Sequence, residues 1–172
     1  IWLDRTRGVG TITLADCYQY GLFGPVARAA GGDYDVRRAF PYSGYETYQF
    51  DVIGASNGDV YDRYITRVAE MRESSKIVHQ ALDRLETMEK TDVHEKVPKR
   101  VKPPKGEVYC RSEAPRGQLG YYVVSDGNVN PYRVKVKSPC FTAMSVFHIL
   151  SKGMYIADVI ALIGSLDVVL GE

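Results

Sequence analysis

Residues Glu113, Ala114, Pro115, Arg116 and Gly117 put a carboxylate, a proline of fixed φ, a guanidinium and a glycine in five consecutive positions between two strand-like runs. Charged groups in a hairpin cost free energy to bury unless they are paired. Two roles fit them: a structural ion pair between Glu113 and Arg116 that holds the loop, or fixed charge on the wall of a site. The thiols and imidazoles offer less. Cys17, Cys110 and Cys140 stand alone with no Cys-x-x-Cys pair, and none of His79, His94 and His148 lies within four residues of another soft ligand. Nickel, iron and iron–sulfur sites need several thiolates converging on one point, so no metal is expected on this chain. Each thiol is expected to be a small buried hydrophobe in a reducing compartment. Asp62, Arg63, Arg67 and Glu70 form a second charged group, expected to be a solvated helix face rather than a site.

The elements that must position these residues fall into three segments of one domain, residues 1–172. In the first, Ile1 to Asn57, Thr13 followed by Asp16 reads as an N-cap with an acidic third position, opening a short helix that ends at Gly21. Gly24-Pro25, Gly31-Gly32, Pro41 and Ser43-Gly44 then break the chain into turns. Tyr42, Tyr45, Tyr48 and Phe50 follow the charged run Asp33, Asp35, Arg37 and Arg38. Such a segment is either an irregular coat on a helical core or a subunit interface. In the second segment Tyr61, Tyr64, Val68, Met71, Ser75, Val78, Leu82 and Leu85 recur at three- and four-residue spacings, the seam of one long helix from Asp59 to about Met88. Glu73 with Lys76 and Glu86 with Lys90 add weak pairing on its surface. A helix of about 45 Å is expected to lie in a bundle, with the seam inward, rather than in the alternative, a coiled-coil dimer, which the turn-rich flanks disfavour.

Residues 89–106 hold six Lys or Arg and three Pro in eighteen positions, an extended, exposed linker. Its basic run is expected to be solvated, with docking on anionic lipid or an acidic partner as the alternative. The third segment opens with strands. Val108, Cys110 and Ser112 alternate with polar residues, Leu119 to Val124 follows, and Asp126-Gly127-Asn128 makes the turn. Tyr132, Val134 and Val136 then alternate with basic residues, a half-buried third strand. Ser138-Pro139 caps a helix running to about Lys152 and stopped by Gly153, and an all-round apolar helix from Tyr155 to Ile163 is expected to be buried. The fold expected is mainly α with a small antiparallel β-sheet.

Composition excludes several classes. A net charge of +1 gives no basic field for nucleic acid. The longest nearly apolar run, Met154 to Gly164, is about half of what spans a bilayer and contains Asp158. No secretory signal is seen, so the chain is expected to be neither secreted nor membrane-spanning. Thirteen tyrosines suit packed interfaces. The opening Ile1-Trp2-Leu3 and the ending Leu170-Gly171-Glu172 lead us to expect a trimmed or processed piece, with a functional centre completed elsewhere.

Five stretches, DRTRGVG, AFPYSGYETYQFDV, SNGDVYDRYITRVAEMRES, RSEAPRGQLGYYVVSDG and MYIADVIALIGSLDVVLGE, together resemble the C-terminal half of the complex I D-type chain family over essentially the whole sequence. That family is itself similar to the large subunit of nickel–iron hydrogenases, which keeps the Glu-Ala-Pro-Arg-Gly segment over its metal centre. The hydrogenases end in Asp-Pro-Cys-x-x-Cys, whereas this chain reads Asp167-Val168-Val169-Leu170, with the aspartate kept and both thiols gone. The resemblance therefore implies a hydrogenase-like helical bundle with no metal, in a proton-translocating NADH:quinone oxidoreductase. It implies a quinone as substrate, reduced in a cleft beside an iron–sulfur B subunit that holds the last cluster. A C subunit and a membrane-arm subunit are the other implied partners, and the location is peripheral, on the cytoplasmic or matrix side of an energy-transducing membrane. The family's quinone-headgroup histidine and tyrosine lie in the other half, so His79, His94, His148 and the tyrosines take no such role here. Glu113, Arg116, Asp167 and Val168 are the implied cavity-lining residues, no residue is assigned to catalysis, and the isolated chain is expected to be inactive. The alternative is a scaffold module of the same kind of redox complex. Arg116 is expected within reach of Asp167.

Overall fold

The computed structural model describes residues 1–89, 94 and 96–169. Helix α1, Leu14–Tyr20, begins at the expected capping box: Thr13 Oγ1 accepts from the Asp16 amide and the Asp16 carboxylate accepts from the Thr13 amide. The glycine-punctuated stretch after it is buried at its start and becomes a partly exposed coat around Tyr42, Tyr45 and Tyr48. It folds into α2, Pro25–Ala29, and α3, Val36–Ala39, and then a 3₁₀ turn at Tyr45–Thr47. Ile12, Cys17, Leu22, Val26 and Ala27, all from the first 57 residues, form half of the hydrophobic core. The other half is Ala143, Val146 and Leu150 with Leu162 and Leu166 from the C-terminal helices. The turn residues mark the breaks, but the apolar residues between them are too few per turn to show periodicity.

Helix α4, Val60–Thr87, spans 28 residues, about 42 Å. Asp59 caps it, accepting from the Asp62 amide at 2.8 Å and from the Gly8 amide at 2.7 Å. Its inward face overturns the expectation from the seam. The buried residues are Val60, Asp62, Arg63, Thr66 and Glu73, and none of the seam is among them. Tyr64, Met71, Val78, Leu82 and Leu85 are between 45% and 63% exposed. The charged group read as a solvated face instead holds the helix to the domain. Arg63, with no exposed surface, donates to Gly58 O at 2.7 Å, Gly10 O at 3.0 Å and Ser165 Oγ at 3.0 Å. Burial lowers the Arg63 pKa to about 10, and Arg67 pushes the same way. The Lys76–Glu73 pair forms, at 2.6 Å. Lys90, the expected partner of Glu86, lies outside the described residues, as do part of the basic linker and the final Leu170-Gly171-Glu172.

Strands β1, Gly106–Ala114, β2, Gly117–Ser125, and β3, Arg133–Lys137, form an antiparallel three-stranded sheet in sequence order. The β1–β2 register runs from Gly106 opposite Ser125 to Ala114 opposite Gly117, so Pro115 and Arg116 are the turn. Val134 and Val136 are exposed rather than half-buried, and so is Cys110, against expectation. The expected helix from Ser138 is two pieces, α5, Pro139–Ser145, and α6, Phe147–Leu150, joined at Val146. The second piece ends at Leu150 with Ser151 as its cap, short of the expected stop, and Gly153, at φ 77°, closes the turn that follows. Helix α7, Ile156–Leu166, is not buried all round: Leu162, Ser165 and Leu166 face inward while Ile156, Ile160 and Ile163 are exposed. The fold is mainly α with a small antiparallel sheet. Among the described residues no helix is long and apolar enough to cross a membrane.

Candidate functional site

The hairpin tip is held by a close backbone approach that only glycines permit. A Cβ on Gly24, at φ 76°, would sit 2.3 Å from the Gly117 Cα, and one on Gly117, at φ 131°, would sit 2.6 Å from Phe23 O. Further along, Gln118 is buried between two phenols, accepting from Tyr34 Oη at 3.2 Å and donating to Tyr109 Oη at 3.0 Å. The Glu113 amide donates to Tyr42 Oη at 3.0 Å. These contacts fix where the two charged residues of the tip can reach.

Glu113 and Arg116 do not pair with each other. They reach different partners, Glu113 turning to Arg28 of α2 and Arg116 to the end of α7. Glu113 Oε1 accepts from Arg28 Nη1 at 2.9 Å and Oε2 accepts from the Val36 amide at 3.1 Å. Arg28, in turn, donates Nε to Glu70 Oε1 at 2.6 Å and lies 3.7 Å from Asp35 Oδ2, with only 3% of its side chain exposed. Arg37 grips Asp35 from the other side, Nη2 to Oδ2 at 2.6 Å. Two guanidiniums thus face three carboxylates, Asp35, Glu70 and Glu113. Burial works against the Arg28 charge, but Glu113 and Glu70 overcome it and hold the Arg28 pKa up. The deficit of positive charge falls on Glu113: burial raises its pKa, and Asp35 adds to the rise against the pull of Arg28. Asp35 goes down: burial pushes it up, but its bonds to Arg37 outweigh that push.

Arg116 meets Asp167 instead. Its Nε lies 3.1 Å from Asp167 Oδ2, and Nη2 donates to Oδ1 at 3.3 Å, across 51 residues of chain. Asp167 caps α7 with a left-handed backbone at φ 53°, which turns its carboxylate toward the hairpin. Val169 and Cys140 tie the segment to α5, the Val169 amide lying 3.4 Å from Cys140 Sγ. Arg67 Nε lies 3.9 Å from Asp167 Oδ2. Burial lowers the Arg67 pKa, Asp167 and Glu70 oppose the fall, and Arg116 adds to it.

Between the two clusters lies an open pocket of about 560 Å³. Ala114, Pro115, Val68, Met71 and Tyr64 give it apolar walls, and Glu113, Arg116, Arg67 and Asp167 give it charge. That mixture and size fit a small organic ligand. Of the four residues expected at a cavity, Glu113, Arg116 and Asp167 border this pocket, whereas Val168 packs against the hydrophobic core one residue further on. Sequence reasoning missed Arg28, Asp35 and Glu70 as partners of Glu113. Arg28 carried a signal: it is the single charge in Pro25-Val-Ala-Arg-Ala-Ala30, where a lone arginine among small apolar residues must find a buried partner. Among the described residues no group of His, Cys, Asp and Glu could hold a metal ion.

The whole chain, residues 1–172, matches the family described as respiratory-chain NADH dehydrogenase, 49 Kd subunit. It is similar to the second D-type chain of NADH-quinone oxidoreductase from Solibacter usitatus, 48% identical over 172 residues that cover 100% of this chain and 46% of that protein. Against the corresponding second D-type chain of Chloroflexus aurantiacus the identity is 45%, covering 100% of this chain and 48% of the relative. NADH-quinone oxidoreductase subunit 4 of Thermus thermophilus is 45% identical, again over 100% of this chain and 47% of its own length. The chain spans about half the length of the curated relatives it matches. A match over every residue, with the Glu113–Gly117 hairpin and the Asp167 segment folded together at one pocket, shows that this chain belongs to the family of the 49 kDa, or D-type, subunit of the respiratory-chain NADH dehydrogenase.

Proposed function

We propose that the pocket between the Glu113–Gly117 hairpin, α4 and the Asp167 segment is part of the wall of the cavity in which NADH-quinone oxidoreductase reduces its quinone. The observation that carries this reading is the Arg116–Asp167 contact, which closes one side of an apolar-walled pocket with residues 51 positions apart. The quinone gains two electrons and two protons, so its oxygens grow more basic and more polar during reduction. Fixed guanidiniums at the rim favour that change, since they stabilise developing charge without reorganising. Glu113, Arg116 and Asp167 are the wall residues in this account, and Val168 supports Asp167 from behind. The chain supplies no cluster. Electrons reach the quinone from an iron–sulfur cluster in an adjacent B-type subunit, and a C subunit and a membrane-arm subunit complete the surroundings. The assembly sits peripherally on the cytoplasmic or matrix side of an energy-transducing membrane, and quinone reduction is coupled there to proton translocation. Alone, the chain is inactive.

The exposed apolar faces of α4 and α7 favour a second reading, in which this half serves only as a scaffold for partner surfaces. Kinetics of the intact enzyme separate the two. Losing the charge-assisted contact in Arg116→Gln, or crowding Asp167 from behind in Val168→Phe, should raise the KM for quinone about ten-fold. NADH oxidation by an artificial acceptor that takes electrons upstream should be unchanged. A quinone KM within about two-fold of the parent enzyme in both variants, less than about 0.4 kcal/mol, leaves only the scaffold reading.

A further inference from the structure

Among the described residues at the pocket, Arg67 is a guanidinium whose fork is idle. Nη1 donates to the Arg63 carbonyl at 3.2 Å. The other two nitrogens, Nε and Nη2, are buried and have no hydrogen-bond partner among the described residues. At 3.9 Å, Asp167 Oδ2 is too far from Nε for a hydrogen bond, since that carboxylate is already taken by Arg116. Nε and Nη2 share one edge of the guanidinium and point their N–H groups the same way, the geometry that grips both oxygens of a carboxylate. Asp167 is shared with Arg116, and Glu70, the other carboxylate near Arg67, has its Oε1 taken by Arg28, so neither supplies this edge with an acceptor. A buried charged donor left unmade is costly, and a carboxylate, whose two oxygens match the fork, is the acceptor that satisfies both N–H groups.

The surroundings say what carries the anion. Arg67 stands three residues after Tyr64 and four before Met71, on the same face of α4 as the exposed Val78, Leu82 and Leu85. From Tyr64 to Leu85 that apolar stripe runs about 32 Å. It has the three- and four-residue spacing of a helix–helix contact, with one charged residue inside it. The related subunits are about twice as long as this chain, so a chain of comparable length remains to lie against it.

We propose that the Nε/Nη2 fork of Arg67 receives an Asp or Glu side chain from the other half of the full-length subunit, and that this pair sets the register of a helix laid along the α4 stripe. A single ionic pair in an otherwise apolar contact excludes slipped alignments, because every slip leaves both charges buried and unpaired. The inference rests on family membership and chain length, not on the quinone reading.

The test uses the full-length subunit in the assembled enzyme. Arg67→Gln and Arg67→Lys are each combined with neutral replacements, Asp→Asn or Glu→Gln, of every acid in the other half. The rate at which the subunit loses protease resistance at a fixed raised temperature is then measured. Arg67→Gln should speed that loss about ten-fold or more, and Arg67→Lys, which keeps the charge but not the fork, about three-fold. One acid should reproduce the Arg67→Gln effect alone and add nothing to it in the double variant. If Arg67→Gln does not assemble, the Arg67→Lys background carries the same comparison. The proposal is overturned if every acid adds independently to Arg67. It is equally overturned if Arg67→Gln leaves the rate within about two-fold while raising the quinone KM, since the fork then serves the quinone. A failure of the quinone-wall reading, seen as unchanged quinone kinetics in Arg116→Gln, leaves this outcome independent.

Discussion

Arg28→Met tests the electrostatic core beneath the hairpin. The methionine fills the space of the aliphatic stem of Arg28 but removes the guanidinium that reaches Glu70 at 2.6 Å, Glu113 at 2.9 Å and Asp35 at 3.7 Å. Arg37 alone cannot neutralise three carboxylates, two of which are almost fully buried. Breaking a buried pair by deleting one partner costs about 3–5 kcal/mol. Domains of this size hold about 5–15 kcal/mol in total, so the variant sits near the edge of folding. Glu113→Gln is the counter-experiment. It removes one of the three negative charges, relieving the surplus, and loses only the charged part of two hydrogen bonds, about 1–2 kcal/mol. Asp158→Asn, at the partly exposed Arg5 pair, is the control and should cost under about 1 kcal/mol. Urea unfolding followed by circular dichroism gives all three values. A cost under about 1 kcal/mol for Arg28→Met, or a Glu113→Gln cost equal to it, refutes the charge count on which the cluster is argued.

Three further outcomes follow from the same geometry. Burial holds the Glu113 pKa above the ordinary carboxyl value of 4.5, so its contribution to stability is complete below that pH and is lost as pH rises through the raised folded value; the cost of Glu113→Gln should therefore be largest at acid pH and shrink as pH rises. Gly24→Ala drives a methyl to 2.3 Å from the Gly117 Cα, displacing the hairpin tip at a cost of about 1–3 kcal/mol and breaking the Arg116–Asp167 contact, readable as loss of their coupling in a double-mutant cycle. Burial, with Asp16 adding to it, pushes the Cys17 thiol up to about 11, so at neutral pH a thiol reagent should label exposed Cys110 quickly and Cys17 only on unfolding.

Local signals are legible in the sequence where a side chain acts on its own backbone. The Thr13–Asp16 capping box, the stop at Gly21, the Asp59 cap and the Ser138-Pro139 helix start all stand where the residue types put them. Partner choice over long separations is not legible. Nothing in the spacing of Glu113 names Arg28, 85 residues away, and adjacency in sequence suggests Arg116 instead. The α4 seam misleads for a related reason. Periodicity reports that one face is apolar, but not whether its partner lies within the 172 residues. Here the inward face is the polar one, stitched by Asp62, Arg63 and Glu73, and the apolar stripe looks outward. An amphipathic pattern assigns the charged side of such a helix to solvent, yet Arg63 is among the most buried side chains of the molecule. The meeting of Arg116 and Asp167 is the long-range contact that could be expected beforehand, and it came from the family resemblance rather than from spacing.

The most direct measurement is labelling of the intact enzyme with a photoreactive quinone whose reactive group sits on the headgroup, followed by peptide mapping with and without excess natural quinone. The account predicts label on peptides containing Glu113–Gly117 or Asp167–Val169, displaced by the competing quinone. Label absent from both segments, while appearing competitively elsewhere in the enzyme, would contradict the claim that this pocket is part of the quinone cavity.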